Sequence, residues 1–178
     1  MSKIKINFVS IPRSASQSIH AALETDKYMN HKSISLFPEN GLPAFAIIRE
    51  PVDHAMSWYA HHKSRKKLAH LYEETLEQWC INGFNTHWSP EECNTMGINH
   101  ALNQFDYISE GGSVVVEHLL RYEHLENDFF NLCAEYDIQP RELRTTSVSA
   151  NLEIPDCMEE LLKKSFPKNF ELYGEIND

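Results

Sequence analysis

Residues 8–20 read Phe-Val-Ser-Ile-Pro-Arg-Ser-Ala-Ser-Gln-Ser-Ile-His, and the fold turns on how they are read. Ile4, Ile6, Phe8, Val9 and Ile11 crowd together as in a buried strand, predicted over 3–11. Pro12 breaks the run, and the small or hydroxylated residues Ser14, Ala15, Ser16 and Ser18 follow. Ile19, Ala22 and Leu23 then recur at helical spacing, predicting a helix over 16–25. Strand, small-residue loop and helix in that order form an anion cradle. Loop amides and the helix N-terminus converge on one spot, and the hydroxyls add donors. Arg13 sets a permanent charge at its lip. The same residues also fit an ordinary strand-to-helix turn with a serine N-cap. The Walker A pattern, G-x-x-x-x-G-K-[ST], is absent.

Working outward, the chain predicts a short strand near 28–34, a turn at Pro-Glu-Asn-Gly-Leu-Pro (38–43) and a strand over 44–49. A long helix starts at Pro51, since proline suits a first helical position, with Val52, Ala55, Met56 and Tyr59 on its buried face. Helical segments are expected over 72–82 and 90–108. Gly111-Gly112 introduces a strand over 113–120, a helix covers 123–136, a turn falls near 140–144 and another helix covers 156–165. Strands alternating with helices predict an α/β fold, a parallel sheet with helices on both faces. Ligands bind such sheets beyond the carboxyl ends of the strands, where the 8–20 loop lies.

At 178 residues, with no internal repeat, low-complexity tract or linker, residues 1–178 read as a single domain. No apolar run reaches the length of a membrane span, and the start reads as a strand rather than a signal peptide. Cys80, Cys93, Cys133 and Cys157 lie far apart without CxxC spacing, which predicts reduced thiols in a cytoplasmic protein. Ten histidines include no HExxH, so no metal site is expected. The net charge of −10 is uneven: residues 1–67 carry net +5 and residues 68–178 net −15. An anionic ligand at the basic end fits this pattern, whereas a nucleic-acid surface does not.

A second signal lies at the end of the 44–49 strand. Arg49 and Ser57, two helical turns apart, can reach one anion, the arginine through paired planar donors and the serine through one. Taken alone, Arg49 fits a surface ion pair equally well. Here the chain resembles the sulfotransferases that use 3′-phosphoadenosine 5′-phosphosulfate (PAPS). Ile-Pro-Arg-Ser-Ala-Ser-Gln-Ser-Ile is similar to their 5′-phosphosulfate loop, P-K-T-[AG]-[ST]-[ST]-S. Ile-Ile-Arg-Glu-Pro-Val-Asp-His-Ala-Met-Ser-Trp-Tyr resembles their 3′-phosphate motif, R-[DN]-P followed by S-x-Y. Leu119–Phe129 resembles the R-[YF]-E-x-L element of the carbohydrate enzymes, and Phe166–Gly174 their terminal helix. The heparan 2-O- and chondroitin-type enzymes and their bacterial homologues are the nearest in pattern.

The resemblance implies a three-layer sandwich with a central parallel sheet, the sulfotransferase variant of the P-loop nucleotide-binding fold. It implies PAPS as donor, adenosine 3′,5′-bisphosphate as product, no metal, and a hydroxyl acceptor, with a carbohydrate among the candidates. Arg13 stands where the family has the lysine that steadies the leaving phosphate. Arginine stabilises an oxyanion but does not readily release a proton. Arg13, Ser14, Ala15, Ser16, Gln17 and Ser18 would line the phosphosulfate, with Gln17 in place of a hydroxyl, and Arg49 and Ser57 would hold the 3′-phosphate. Asn-His-Lys-Ser at 30–33 resembles the family's G-H-x-S, which makes His31 the expected general base; its alternative is a surface histidine at a strand end. His20 is the second candidate base. His61 and His62 are expected to face solvent or acceptor.

Lys63, Arg65, Lys66 and Lys67 read either as an anion-binding cluster or as a solvated helix face. Trp58, Trp79 and Trp88 fit core packing by default and ring stacking as an alternative. Acceptor-binding elements are expected within 60–112, reduced or completed by a second subunit in a homo-oligomer. Two other readings remain: a sulfotransferase-like protein that binds without turnover, suggested by Arg13 and Gln17, and a small-molecule kinase, which the missing Gly-Lys-Ser/Thr disfavours.

Overall fold

A computed structural model of the chain describes residues 6–24, 31–37, 39–72, 75–144 and 152–177. Its centre is strand β2 (Ala44–Ile48), five residues that are all buried. A strand covered on both faces needs a continuous apolar run, which Ala-Phe-Ala-Ile-Ile supplies. β1 (Asn7–Val9) pairs with it in parallel on one side, and β5 (His118–Arg121) in parallel on the other. The molecule is thus α/β, with a small parallel sheet ordered β1-β2-β5.

Alternation along β2 sends side chains to opposite faces. Phe45 and Ile47 meet Ile19 and Ala22 of helix α1 (Ser16–Ala22) and Phe129 and Leu132 of helix α6 (Leu125–Glu135). Ala44, Ala46 and Ile48 meet Tyr107 and Ile108 of helix α5 (Gln104–Ile108) and Leu172 of helix α8 (Pro167–Glu175). A third cluster joins Trp58 and Tyr59 of helix α2 (Pro51–Lys63) to Trp79 of helix α3 (Leu76–Ile81) and Met158 and Leu162 of helix α7 (Met158–Ser165). Helix α2 begins at Pro51, and the Glu50 carboxylate accepts from the Asp53 amide at 2.6 Å. That satisfies one of the donors a helix start leaves open. Among the described residues no helix is long and apolar enough to cross a membrane.

Several expected elements differ. The strand expected near 28–34 is not formed over 31–34: residues 31–33 are irregular, and Ile34–Leu36 make a 3-10 turn whose start is capped by the Ser33 hydroxyl. Residues 28–30 lie outside the described residues, as do residues 3–5 of the first strand. The helix expected over 90–108 is two helices, α4 (Pro90–Thr95) and α5. Between them Gly97 turns left-handed at φ +73° with the Ser33 Cβ only 3.1 Å from where a side chain would begin. The helix expected over 72–82 shortens to α3, with the Thr75 hydroxyl as its cap. The strand expected over 113–120 is also divided. Gly111 and Gly112, both left-handed, close an antiparallel hairpin of β3 (Ser109–Glu110) and β4 (Ser113–Val114), and only His118–Arg121 joins the parallel sheet. Glu117 separates the pieces by accepting the Ala44 amide of β2 at 2.7 Å.

Candidate functional site

The loop from β1 to α1 is bent by two left-handed residues, Arg13 at φ 66° and Ala15 at φ 56°. Such angles are strained for side chains larger than glycine and persist only where surroundings hold them. Here the surroundings come from underneath. The His54 Nε2–H donates to the Pro12 carbonyl at 2.8 Å, and Arg49 Nη1 donates to the Arg13 carbonyl at 2.8 Å. The Ser16 hydroxyl donates to the Ile11 carbonyl at 2.7 Å. Three side chains therefore pin three successive carbonyls of the loop backbone.

Above the loop lies a cavity of about 680 Å³ at the carboxyl end of β1. Arg13, Ala15, Ser16, Gln17, Ser18 and His31 lie on its wall, so the structure brings these six expected site residues together. Arg49, Ser57, Ser14 and His20 are not in that wall. Arg49 is 2% exposed, its Nε on the Asp53 carboxylate at 2.6 Å and its guanidinium 4.1 Å over the Tyr122 ring. The Ser57 hydroxyl accepts from Arg13 Nε and Nη2 at 3.2 and 3.1 Å. Arg49, Arg13 and Ser57 thus form one connected unit, with Arg49 beneath and Arg13 at the surface of the cavity. The Ser18 hydroxyl is spent on the Arg144 carbonyl at 2.5 Å. The Ser14 hydroxyl is buried and has no hydrogen-bond partner among the described residues.

The electrostatics of Arg13 are unusual. Burial pushes its pKa down first, and the cations of Arg49 and Arg65 push it further down, with Tyr122 alone opposing. Among the described residues no carboxylate pairs with it. A guanidinium deprived of water and set among like charges is poised to receive an anion.

His31 faces the cavity from the far side of the loop. Its Nδ1 lies 2.8 Å from the Ser10 carbonyl, which can only accept, so Nδ1 carries the proton and Nε2 is the basic nitrogen. Burial lowers its pKa, which keeps it neutral and proton-accepting at neutral pH. His20 packs edge-on against Phe8 instead, with ring centroids 5.2 Å apart.

The second wall was not fully legible in the sequence. His61 and His62, expected to face solvent or acceptor, do line the cavity, but His62 is buried and stacked on Trp58 at 4.5 Å. His87 stacks on the same pair, 4.5 Å from His62. Burial lowers all three imidazoles, His61 to about 4 and His62 to about 3, so these rings are uncharged at neutral pH. Of the basic cluster, Arg65 reaches the cavity and Lys63 Nζ donates to the Tyr59 hydroxyl at 2.8 Å. Trp79 is core, as its type predicts; Trp58 and Trp88 belong to both core and cavity wall. A signal for this wall existed. His54, Ser57, Trp58, His61, His62 and Arg65 fall at i, i+3, i+4, i+7, i+8 and i+11, one face of α2 extended past its end, of which Trp58, His61, His62 and Arg65 line the wall. That spacing is ordinarily apolar, and here it is filled by imidazole, hydroxyl, indole and guanidinium.

The site can hold an anion at Arg13, accept a proton at His31 and press a ring against Trp88. Comparisons with family profiles, with curated proteins and with solved structures find no match to this chain, so the chemistry of the cleft carries the functional reading by itself.

Proposed function

We propose that the chain is a PAPS-dependent sulfotransferase acting on a hydroxyl acceptor, with its sheet the core of the three-layer, P-loop-type fold of those enzymes. The observation that carries the reading is Arg13: a cation made unfavourable by burial and by Arg49 and Arg65, facing the same cavity as a neutral His31. A phosphosulfate fits the residues present, since it relieves the charge on Arg13 at the cavity wall. In the transfer, the acceptor oxygen bonds to sulfur as the bond from sulfur to the 5′-phosphate oxygen breaks. The acceptor proton goes to His31 Nε2, and the electron pair leaves with adenosine 3′,5′-bisphosphate. Arg13 stabilises that leaving charge without needing to supply a proton.

A second reading, binding of a nucleotide without turnover, is favoured by one observation. The groups assigned to the 3′-phosphate are already engaged, Arg49 by Asp53 and Ser57 by Arg13. Two measurements decide. Thermal shift should rank adenosine 3′,5′-bisphosphate above AMP, and Arg13→Ala should weaken the bisphosphate by roughly 10- to 150-fold, the loss of one charged hydrogen-bonding partner. Equal stabilisation by the two nucleotides would defeat the transferase reading, and no stabilisation by either would defeat both. Binding without transfer of labelled sulfate from PAPS to any acceptor leaves the second.

A further inference from the structure

Beyond the first cavity, on the other side of Trp88, lies a second one of about 420 Å³. His87 and Trp88 line both, so the two cavities share a wall two residues wide. Trp88 is fixed in place: its ring stands edge-on to Trp58 at 5.3 Å, and it packs against two hydrophobic clusters at once. The His31 ring lies 5.9 Å from it on the first-cavity side. His87 keeps a buried Nδ1 with no hydrogen-bond partner among the described residues.

The chemistry of the second cavity differs from that of the first. Asn85, Thr86, Ser89, Asn99 and His100 supply amide, hydroxyl and imidazole groups, and among the described residues no aspartate, glutamate, lysine or arginine lines it. The His100 imidazole is fixed by accepting the Leu102 amide at Nδ1, 3.1 Å, and burial holds its pKa near 4, so it stays neutral. An indole face flanked by uncharged donors and acceptors suits a ligand with a flat C–H face and a rim of hydroxyls. Among the described residues it offers no cation to pair with a carboxylate or sulfate.

Resting on the transferase reading, we propose that the second cavity is a distal acceptor subsite, and that the acceptor is an uncharged, hydroxyl-rich chain such as a neutral oligosaccharide. One ring lies against Trp88 with its reacting hydroxyl toward His31, and the next ring crosses into the cavity of Asn85 and Thr86. The arginine-bearing side of the first cavity is thereby left to the donor nucleotide. The basic residues Lys66 and Lys67, exposed at the end of the α2 segment, take no part in holding this acceptor.

Titration of the protein with glucose, cellotetraose and tetragalacturonate, read by tryptophan fluorescence, tests the proposal. Cellotetraose should bind at least about tenfold tighter than glucose, a gain of about 1.4 kcal/mol from the second cavity. Asn85→Trp, which fills that cavity from an exposed position, should bring cellotetraose down to the affinity of glucose while leaving the thermal shift by adenosine 3′,5′-bisphosphate unchanged. Trp88→Phe, which keeps an aromatic ring in the packing, should weaken both sugars together. Equal affinity for glucose and cellotetraose, or no binding of cellotetraose, overturns the distal subsite. Tighter binding of tetragalacturonate than of cellotetraose overturns the uncharged class. Because the bisphosphate shift is read separately, failure of the sulfotransferase reading shows there and not in the sugar titrations.

Discussion

His54 offers a sharp test of how the anion loop is supported. It is fully buried, donates to the Pro12 carbonyl at 2.8 Å, and burial lowers its pKa from 6.5 to about 4. Its folded pKa lies below its unfolded one, so the unfolded chain takes up the proton first as pH falls. Stability from the neutral imidazole is complete above pH 6.5 and is lost progressively from there down to about 4. The full shift corresponds to about 3 kcal/mol, of which about 2 kcal/mol is lost between pH 7 and 5. His54→Gln keeps an N–H donor near the position of Nε2 but does not titrate. Urea unfolding of wild type and His54→Gln at pH 7, 6 and 5 should therefore give stabilities whose difference moves by about 2 kcal/mol toward the variant as pH falls. The same acid window contains His61, His62 and His100, all lowered by burial, so wild type alone falls by more than His54 supplies. The difference between the two proteins isolates His54. A constant difference across the three pH values would refute a buried neutral His54 beneath Pro12.

Two further outcomes follow from the site. His31→Ala should lower sulfuryl transfer by about 10²–10⁴-fold with little change in bisphosphate binding, and the wild-type rate should hold below pH 6.5 before falling, because burial lowers the His31 pKa; loss of bisphosphate affinity in place of rate would move His31 out of the base role. Gln104 is buried and bonds both the Arg49 amide, at 3.0 Å, and the Arg49 carbonyl, at 2.8 Å. Gln104→Leu should cost about 2–6 kcal/mol by leaving two buried backbone groups unpaired, measured by denaturant unfolding, and a cost under about 1 kcal/mol would show that water replaces the amide.

Legibility in the sequence followed the range of the interactions. The order of β1, loop and α1 depends on neighbours: a proline that ends the strand, small residues, then helical spacing. The entry of α2 at Pro51 and the apolar run of β2 are local in the same way, and all appear where expected. The polar stripe at core spacing along α2 went unread, and its Trp58, His61, His62 and Arg65 line the cavity. The 113–120 run misled because periodicity cannot tell the exposed valines Val114 and Val115 from those of a buried strand. Pairing decided it: Glu117 caps the Ala44 amide, and only the residues after it find β2. Gly97 divides 90–108 because Ser33 and Leu36, some sixty residues earlier in the chain, crowd it.

What the sequence by itself determined is the β1–loop–α1 unit, the apolar run of β2 and the entry of α2, with Arg13, the loop serines and Arg49 at the carboxyl ends of those strands. The division of labour among them belongs to the tertiary structure. Both arginines carry the same charge and the same donors in sequence. Packing places Arg49 under the loop, on Asp53 and Tyr122, and leaves Arg13 at the cavity with cations for neighbours. Ser16 and Ser18 give their hydroxyls to carbonyls, one of them in a segment over a hundred residues away, while Ser14 has no hydrogen-bond partner among the described residues. His31 has a defined proton-accepting nitrogen only because the Ser10 carbonyl takes the N–H of the other. Charge, hydroxyl and imidazole are properties of residue type, but which of them faces a ligand depends on which buried partner is satisfied first, and those partners come from distant parts of the chain.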